Sequence, residues 1–306
     1  MDIYLPIAEV SVNWPFLVLL GATVGFVSGL FGIGGGFLMA PILIFLGIPP
    51  AVAVASQASH VVASSTSGVI SYTSQKAVDY KIGSLMAAGG VLGALLGVEL
   101  FRYLRLLGQA DLAVALSYLL FLGTIGTLML YESLGQILRR VRGEVAPHKE
   151  RRRPLWLYGL PLKMRFPRSG LYISAIPPFA LGTFVGVMSA IMGVGGGFIL
   201  VPAMLYVLRM RAGVVVGTSL FQIIIVTAMT TILQAGRNQT VDIVLSTLLL
   251  LGGVVGAQFG ARLSGRFRAE ELRALLALIV LLVGLRMGLG LFFTPDEPFV
   301  LMTGMG

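Results

Sequence analysis

The chain has no cysteine, and its 306 residues include only two histidines. Without thiols there are no disulfides, thiolate metal sites, iron–sulfur clusters or thiol nucleophiles. Charge is scarce too, at 11% of residues, against about 25% in a soluble domain. No Lys or Arg precedes Lys76 and none follows Arg286. The N-terminus therefore lacks the positive segment of a signal peptide. The strict alternation of a β-barrel strand is missing as well. So is an H-E-x-x-H metal site, and Ser65-Thr66-Ser67-Gly68 lacks the first glycine of a G-x-S-G serine site. With no paired carboxylates inside an apolar segment, an enzyme is not expected.

What is present is apolar sequence. Hydrophobic residues make up 57% of the chain, and the mean hydropathy is +0.93. The runs are continuous and approach the roughly 20 residues that cross a bilayer as a helix. The expected fold is an all-α polytopic membrane protein. Its helical segments are read at 14–31, 35–47, 51–73, 82–101 and 111–131, then at 171–193, 196–208, 212–236, 241–262 and 270–293. The second and seventh are too short to cross comfortably, and each begins at a glycine cluster.

The net charge is +9, and ten of the 22 basic residues lie between Arg139 and Arg168. A nucleic-acid patch is the less economical reading, because the segment joins two membrane blocks. Positive-inside sorting makes it a cytoplasmic loop. The termini, with only Asp2, Glu9, Asp296 and Glu297 for charges, then lie outside. The organisation expected is a first membrane repeat at 1–131, a basic linker at 132–170 with an interfacial segment, and a second repeat at 171–306.

Internal repetition supports that division. Residues 29–41 read GLFGIGGGFLMAP and residues 190–202 read AIMGVGGGFILVP, an offset of 161. The same offset pairs Gly25 with Gly186 and Ser28 with Ser189. An offset of 163 pairs Asp79 with Asp242, and Gly90, Gly93 and Gly97 with Gly253, Gly256 and Gly260. Five segments per half is an odd number, so the halves are expected to be inverted. If the two short segments merely re-enter, a parallel arrangement results instead.

The glycine clusters carry the functional expectation. No strand precedes them and no Lys-Ser/Thr follows, so neither a dinucleotide loop nor a P-loop fits. In a membrane, consecutive glycines interrupt a helix, and irregular backbone survives only inside protein or beside a wet cavity. The helix restarting at Phe37 exposes its first N–H groups and its positive dipole end, which suits an anion. Paired interruptions in two repeats point to a transporter's central site. The alternative is close helix packing, the role expected for Gly89, Gly93, Gly97, Gly252, Gly256 and Gly260. The candidate substrate residues are Gly34, Gly35, Gly36, Gly195, Gly196 and Gly197. Polar side chains following the turns join them, namely Gln57 and His60 in the third segment and Thr218, Ser219 and Gln222 in the eighth. His60 is either a neutral donor or the carrier of a coupling proton. Asp79 and Asp242 are read as helix caps.

The paired G-[IV]-G-G-G-F-[LI]-x-x-P signature and the Asp…G-G-x-x-G-A block resemble the TauE/SafE sulfite exporter family, over roughly 14–131 and 171–293. The resemblance implies transport of a small sulfur-containing anion, sulfite or an organosulfonate, across the bacterial inner membrane, with no cofactor. The partners expected are the anion and the bilayer, with proton coupling optional for export; a passive anion channel or a transporter of another small anion is the rival. In SQASHV at 56–61, Gln57 and His60 depart from the family's usual hydroxyl and apolar residues, which leaves the substrate open.

Overall fold

A computed structural model describes residues 2–31, 33–74, 76–141, 161–264 and 269–292. The chain opens with an antiparallel hairpin, β1 (Asp2–Leu5) and β2 (Val10–Asn13). Helices α1 (Trp14–Phe31), α2 (Gly36–Phe45), α3 (Pro50–Ser74), α4 (Tyr80–Leu106) and α5 (Ala110–Val141) follow. A second antiparallel hairpin, β3 (Lys163–Phe166) and β4 (Leu171–Ser174), precedes the rest. These are α6 (Ile176–Met192), α7 (Gly197–Tyr206), α8 (Ala212–Leu233), α9 (Ile243–Ser264) and α10 (Ala269–Phe292). A π-helical turn, Gln234–Asn238, extends α8.

The expected all-α membrane architecture holds, with the two small hairpins added. By length and composition, five helices among the described residues can cross a membrane: α1, α4, α5, α8 with its π turn, and α9. Leucines such as Leu19, Leu128, Leu251 and Leu282 stand exposed on their outer faces, as a lipid-facing surface requires. Most of the basic linker, 142–160, lies outside the described residues. Around it the structure differs in two ways from the sequence reading. Helix α5 continues to Val141, and 171–174 is a strand rather than the start of a helix. In β4, Leu171 and Ile173 point inward while Tyr172 is exposed, the period of two of a strand. Pro177 and Pro178 then set the helix start, since proline suits the first turn.

The helices pack across the two halves of the chain. The most extensive contacts join α1 to α9 and α4 to α6, followed by α5 with α10 and α3 with α8. Glycine makes the first two possible. A β-carbon at Gly256 would lie 1.9 Å from the Ala22 carbonyl oxygen, and one at Gly93 would lie 2.0 Å from that of Thr183. Only hydrogen fits between these backbones, so the glycines read as packing residues do pack. The register also gives direction. Gly21, Gly25 and Gly29 meet Leu249, Gly253 and Ala257 in order, so α1 and α9 run parallel. Gly182 and Gly186 meet Met86 and Gly90, so α6 and α4 run parallel. Gly68 meets Leu220 while Tyr72 meets Gly217, so α3 and α8 are antiparallel.

Each hairpin is locked by a buried carboxylate from the other half. Asp242 Oδ2 accepts the Ile7 N–H at 3.0 Å, in the β1–β2 turn. Asp79 Oδ2 accepts the Ser169 N–H at 2.9 Å and its hydroxyl at 2.6 Å, in the β3–β4 turn. Both aspartates also cap their own helices, Asp79 through the Lys81 and Ile82 N–H groups and Asp242 through that of Leu245. Their own N–H groups donate to Thr218 Oγ1 at 2.9 Å and Ser56 Oγ at 2.8 Å. The two nodes share this plan, and the Asp79 node adds the Ser169 hydroxyl and a second cap N–H that have no counterpart at Asp242.

Two outcomes test this packing. Asp79→Asn and Asp242→Asn exchange charge-assisted bonds for neutral ones, each charged bond contributing about 1.5–3 kcal/mol. Both should lower the thermal unfolding midpoint in detergent by several degrees; an unchanged midpoint would remove the carboxylates from the lock. Gly256→Val should prevent recovery of folded protein, whereas Gly123→Ala, with nothing within 4 Å of the added carbon, should leave the midpoint in place.

Candidate functional site

The site begins with backbone. Gly34 and Gly35 have φ of 84° and 69°, and Gly195 and Gly196 have 71° and 72°. Residues with a β-carbon are disfavoured there, and here glycine supplies the reversal. The first turn sends the chain back toward the side on which α1 began, because Gly36 lies against Val61 in the middle of α3 and α2 ends just before Pro50. The second turn does the same for α7, from the level of Ile223 in the middle of α8. The short helices therefore turn back at mid-depth rather than cross.

Their N-termini meet. A β-carbon at Gly36 would stand 2.8 Å from Val194 Cα, and one at Gly197 would stand 2.1 Å from the Ile33 carbonyl oxygen. Phe37 and Phe198, one residue into each helix, bring their rings to 6.2 Å between centroids. Neither helix has a side-chain cap at its N-cap glycine, Gly35 or Gly196. Two positive dipole ends thus converge in the buried centre of the bundle. In this conformation Val61 and Ile223 fill the space over the turns, each within reach of both Gly34 and Gly195.

Around that plug are hydroxyls. Ser65 Oγ would lie 3.3 Å from a β-carbon at Gly34, and it is buried without a hydrogen-bond partner. Thr227 takes the corresponding place beside Gly195 and donates to the Ile223 carbonyl at 2.5 Å. Ser64 Oγ donates to the Gly34 carbonyl at 3.4 Å and to that of Val61 at 3.2 Å. Ser28 abuts Gly35, and both Ser28 Oγ and Ser189 Oγ are buried and unpartnered.

The polar residues singled out from the sequence divide. Gln57 stays close to the second glycine stretch. Its Nε2 donates to the Met192 carbonyl at 3.2 Å, the same oxygen that accepts the Tyr118 hydroxyl at 2.9 Å, and its Oε1 has no partner. His60 does not face the turns. Its ring lies in the α1–α9 seam, with Nε2 3.3 Å from the Gly21 carbonyl and against Gly253. Gln222 occupies the matching seam, against Gly90, with both of its amide atoms buried and without a partner. Thr218 holds Asp79, and Ser219 donates to the Val216 carbonyl at 2.8 Å. Ser65 and Thr227 were not singled out from the sequence. The available signal was a third offset, 162, which relates α3 to α8 and places Ser65 on Thr227.

On the face that holds Asp242, a cavity of about 400 Å³ opens between the first hairpin, the α2–α3 and α4–α5 turns and the residues after the π turn. Glu9, Arg105, Asp111 and Gln239 line it. At its wall Thr240 Oγ1 is buried without a partner, and Arg105 donates to the Asn238 carbonyl at 2.8 Å.

Paired interrupted helices facing each other inside a helical bundle define a polytopic membrane protein of transporter architecture. Residues 17–287 match the family described as sulfite exporter TauE/SafE, and the chain belongs to that family. A probable membrane transporter protein of Bacillus subtilis, YjnA, is 29% identical over 274 residues, covering 89% of this chain and 98% of its own. A probable membrane transporter protein of Xylella fastidiosa is 30% identical over 270 residues, covering 87% and 91%. A sulfite exporter TauE/SafE family protein 3 of Arabidopsis thaliana is 30% identical over 123 residues, 39% of this chain and 26% of its own. No solved structure matches the chain.

Two alanine substitutions separate backbone strain from packing. At Gly47, φ is 84° and nothing lies within 4 Å of an added carbon, so Gly47→Ala should cost about 1–2 kcal/mol in unfolding free energy. At Gly35 the added carbon would also meet Ser28 Cβ at 2.8 Å, so Gly35→Ala should cost clearly more. Equal midpoints for the two variants would show that the turn is loosely held.

Proposed function

We propose that the protein is a secondary transporter of a small oxyanion, sulfite or an organosulfonate, which it exports across the bacterial inner membrane. One observation carries the reading. The uncapped N-termini of α2 and α7 converge at mid-depth beside hydroxyl groups that lack partners. Such a place offers an anion N–H and O–H donors without a permanent counter-charge. The substrate residues are Gly34, Gly35 and Gly36 with Gly195, Gly196 and Gly197, flanked by Ser65, Thr227 and Gln57. The family's name supports the substrate class; the relatives are named only as probable transporters.

The two halves act as inverted repeats although α2 and α7 turn back, because each returns to the side on which the preceding helix began and the pair adds no net crossing. The helix directions support this, since α1 parallels α9, α4 parallels α6 and α3 opposes α8. Alternating access then follows from one half moving against the other, with Val61 and Ile223 leaving the turns to admit the anion. Asp79 with the second hairpin and Asp242 with the first give each face a matching closure. Lys76, Lys81, Arg165, Arg168 and Arg211 lie on the face of Asp79, which positive-inside sorting makes cytoplasmic. Export needs no second ion, because about 2.3 kcal/mol per charge per 100 mV drives an anion out, against about 1.4 kcal/mol for a tenfold gradient. His60, held away from the turns, is assigned to the seam rather than to proton coupling.

Flux of sulfite, sulfonates and other small anions into proteoliposomes, with and without a pH gradient, tests the proposal. Sulfite or a sulfonate should move saturably and show trans-stimulation; linear flux would indicate a channel, and no flux or binding would refute the substrate class. Ser65→Ala and Thr227→Val each remove one donor of about 0.5–1.5 kcal/mol. Each should raise KM several-fold at an unchanged unfolding midpoint.

A further inference from the structure

A second cavity, of about 540 Å³, lies away from the glycine turns, between α3 and α9 on the outer surface of the bundle. Ser56 meets Asp242 and Ser246 while His60 meets Gly253, so α3 and α9 run parallel and the lining falls into rungs about 6 Å apart, four residues of helix rise. Nearest the face of Asp79 are Arg262 and Ala261 from α9, with Ser71 and Ile70 from α3. One turn deeper are Gln258 with Thr66 and Ser67, and deeper still Val254 with Ala63. The polar groups therefore run inward from a cation to an amide and hydroxyls, with Ile70 and Ala261 beside the cation and only hydrocarbon at the deepest rung.

We infer that this groove holds one anionic phospholipid, its phosphate on Arg262, its ester oxygens at Gln258 and Ser67, and an acyl chain along Ala63 and Val254.

Three observations support that occupant. First, Arg262 is exposed two residues before the end of α9 and has no acidic partner among the described residues. A guanidinium at that depth takes a phosphate by charge-assisted hydrogen bonds. Second, Ser67 Oγ is buried without a partner, and Gln258 is exposed on a surface otherwise shared with Leu251, Val255 and Phe259. A polar group facing hydrocarbon is costly unless something satisfies it. Third, the duplicated fold supplies an internal comparison. By the offsets of 162 and 163, the matching groove between α8 and α4 carries Ala228, Met229, Ile232 and Leu233 opposite Leu95. There Glu99 takes the place of Arg262 and pairs with Arg102 and Arg237. The fold therefore does not need amide or hydroxyl groups at these positions, and their presence in one groove alone, below an arginine where the counterpart has a paired glutamate, marks a ligand of one sign.

The test is lipid retention. The full chain would be reconstituted in phosphatidylcholine with and without phosphatidylglycerol, extracted gently and weighed by native mass spectrometry. Wild type should retain one phosphatidylglycerol in preference to phosphatidylcholine. Arg262→Gln should weaken that retention about fivefold, the equivalent of roughly 1 kcal/mol for a basic side chain near the membrane surface. Gln258→Leu should weaken it further, while Arg102→Gln on the opposite face should change nothing. Equal retention of the two lipids, or undiminished retention in Arg262→Gln, would overturn the inference. So would displacement of the lipid by inorganic phosphate alone, which marks a free-anion site, or a dimer mass lost in Arg262→Gln, which marks a second copy as the occupant.

Discussion

A helix that ends inside a bilayer cannot give its free N–H groups to water. The structure meets this constraint twice and in one place. At Gly35 and Gly196 the chain reverses through left-handed backbone, and the two new helices begin against each other, Gly36 on Val194 and Gly197 on Ile33. Every other large feature keeps that meeting point buried and central. Helices α3 and α8 cross on either side of it, Val61 and Ile223 cover it, and the close-packed pairs α1–α9 and α4–α6 enclose them. The same donors that make such an interruption costly are what an anion would need.

Closing the bundle at its two faces is a separate problem, and the chain solves it by exchange. The hairpin that leads each half is tied to a buried aspartate of the other half. Each end of the bundle is therefore completed by groups from both halves. The exchange also links each face to the centre, because Ser56 and Thr218, which hold the Asp242 and Asp79 N–H groups, belong to the helices that flank the turns.

Duplication sets the frame, and departures from it carry the individuality. His60 and Gln222 occupy equivalent seams, yet one is a ring wedged on Gly21 and Gly253 and the other an amide beside Gly90. The α3–α9 groove is polar and basic where its counterpart is apolar and acidic. Differences of this kind do not alter the backbone, since the grooves are built on equivalent helix pairs, α3–α9 and α8–α4. They alter what each surface can bind.

Much of this was legible in the amino-acid sequence. Continuous apolar runs gave the helices, the offsets of 161 and 163 gave the duplication, and consecutive glycines marked where two helices break. Aspartates at helix starts were readable as caps because capping is a contact within a few residues. The β-hairpins were not, because strands of four residues carry too little pattern beside so much apolar helix. Nor was the division of the polar side chains. Gln57 and His60 are three residues apart on one helix, and helical spacing assigned them to one face. The structure sends one to Met192 and the other to Gly21. Periodicity tells which residues share a face of a helix, but not which neighbour fills each part of it. That is decided by close approach of distant segments, through glycines whose partners lie in the other half of the chain.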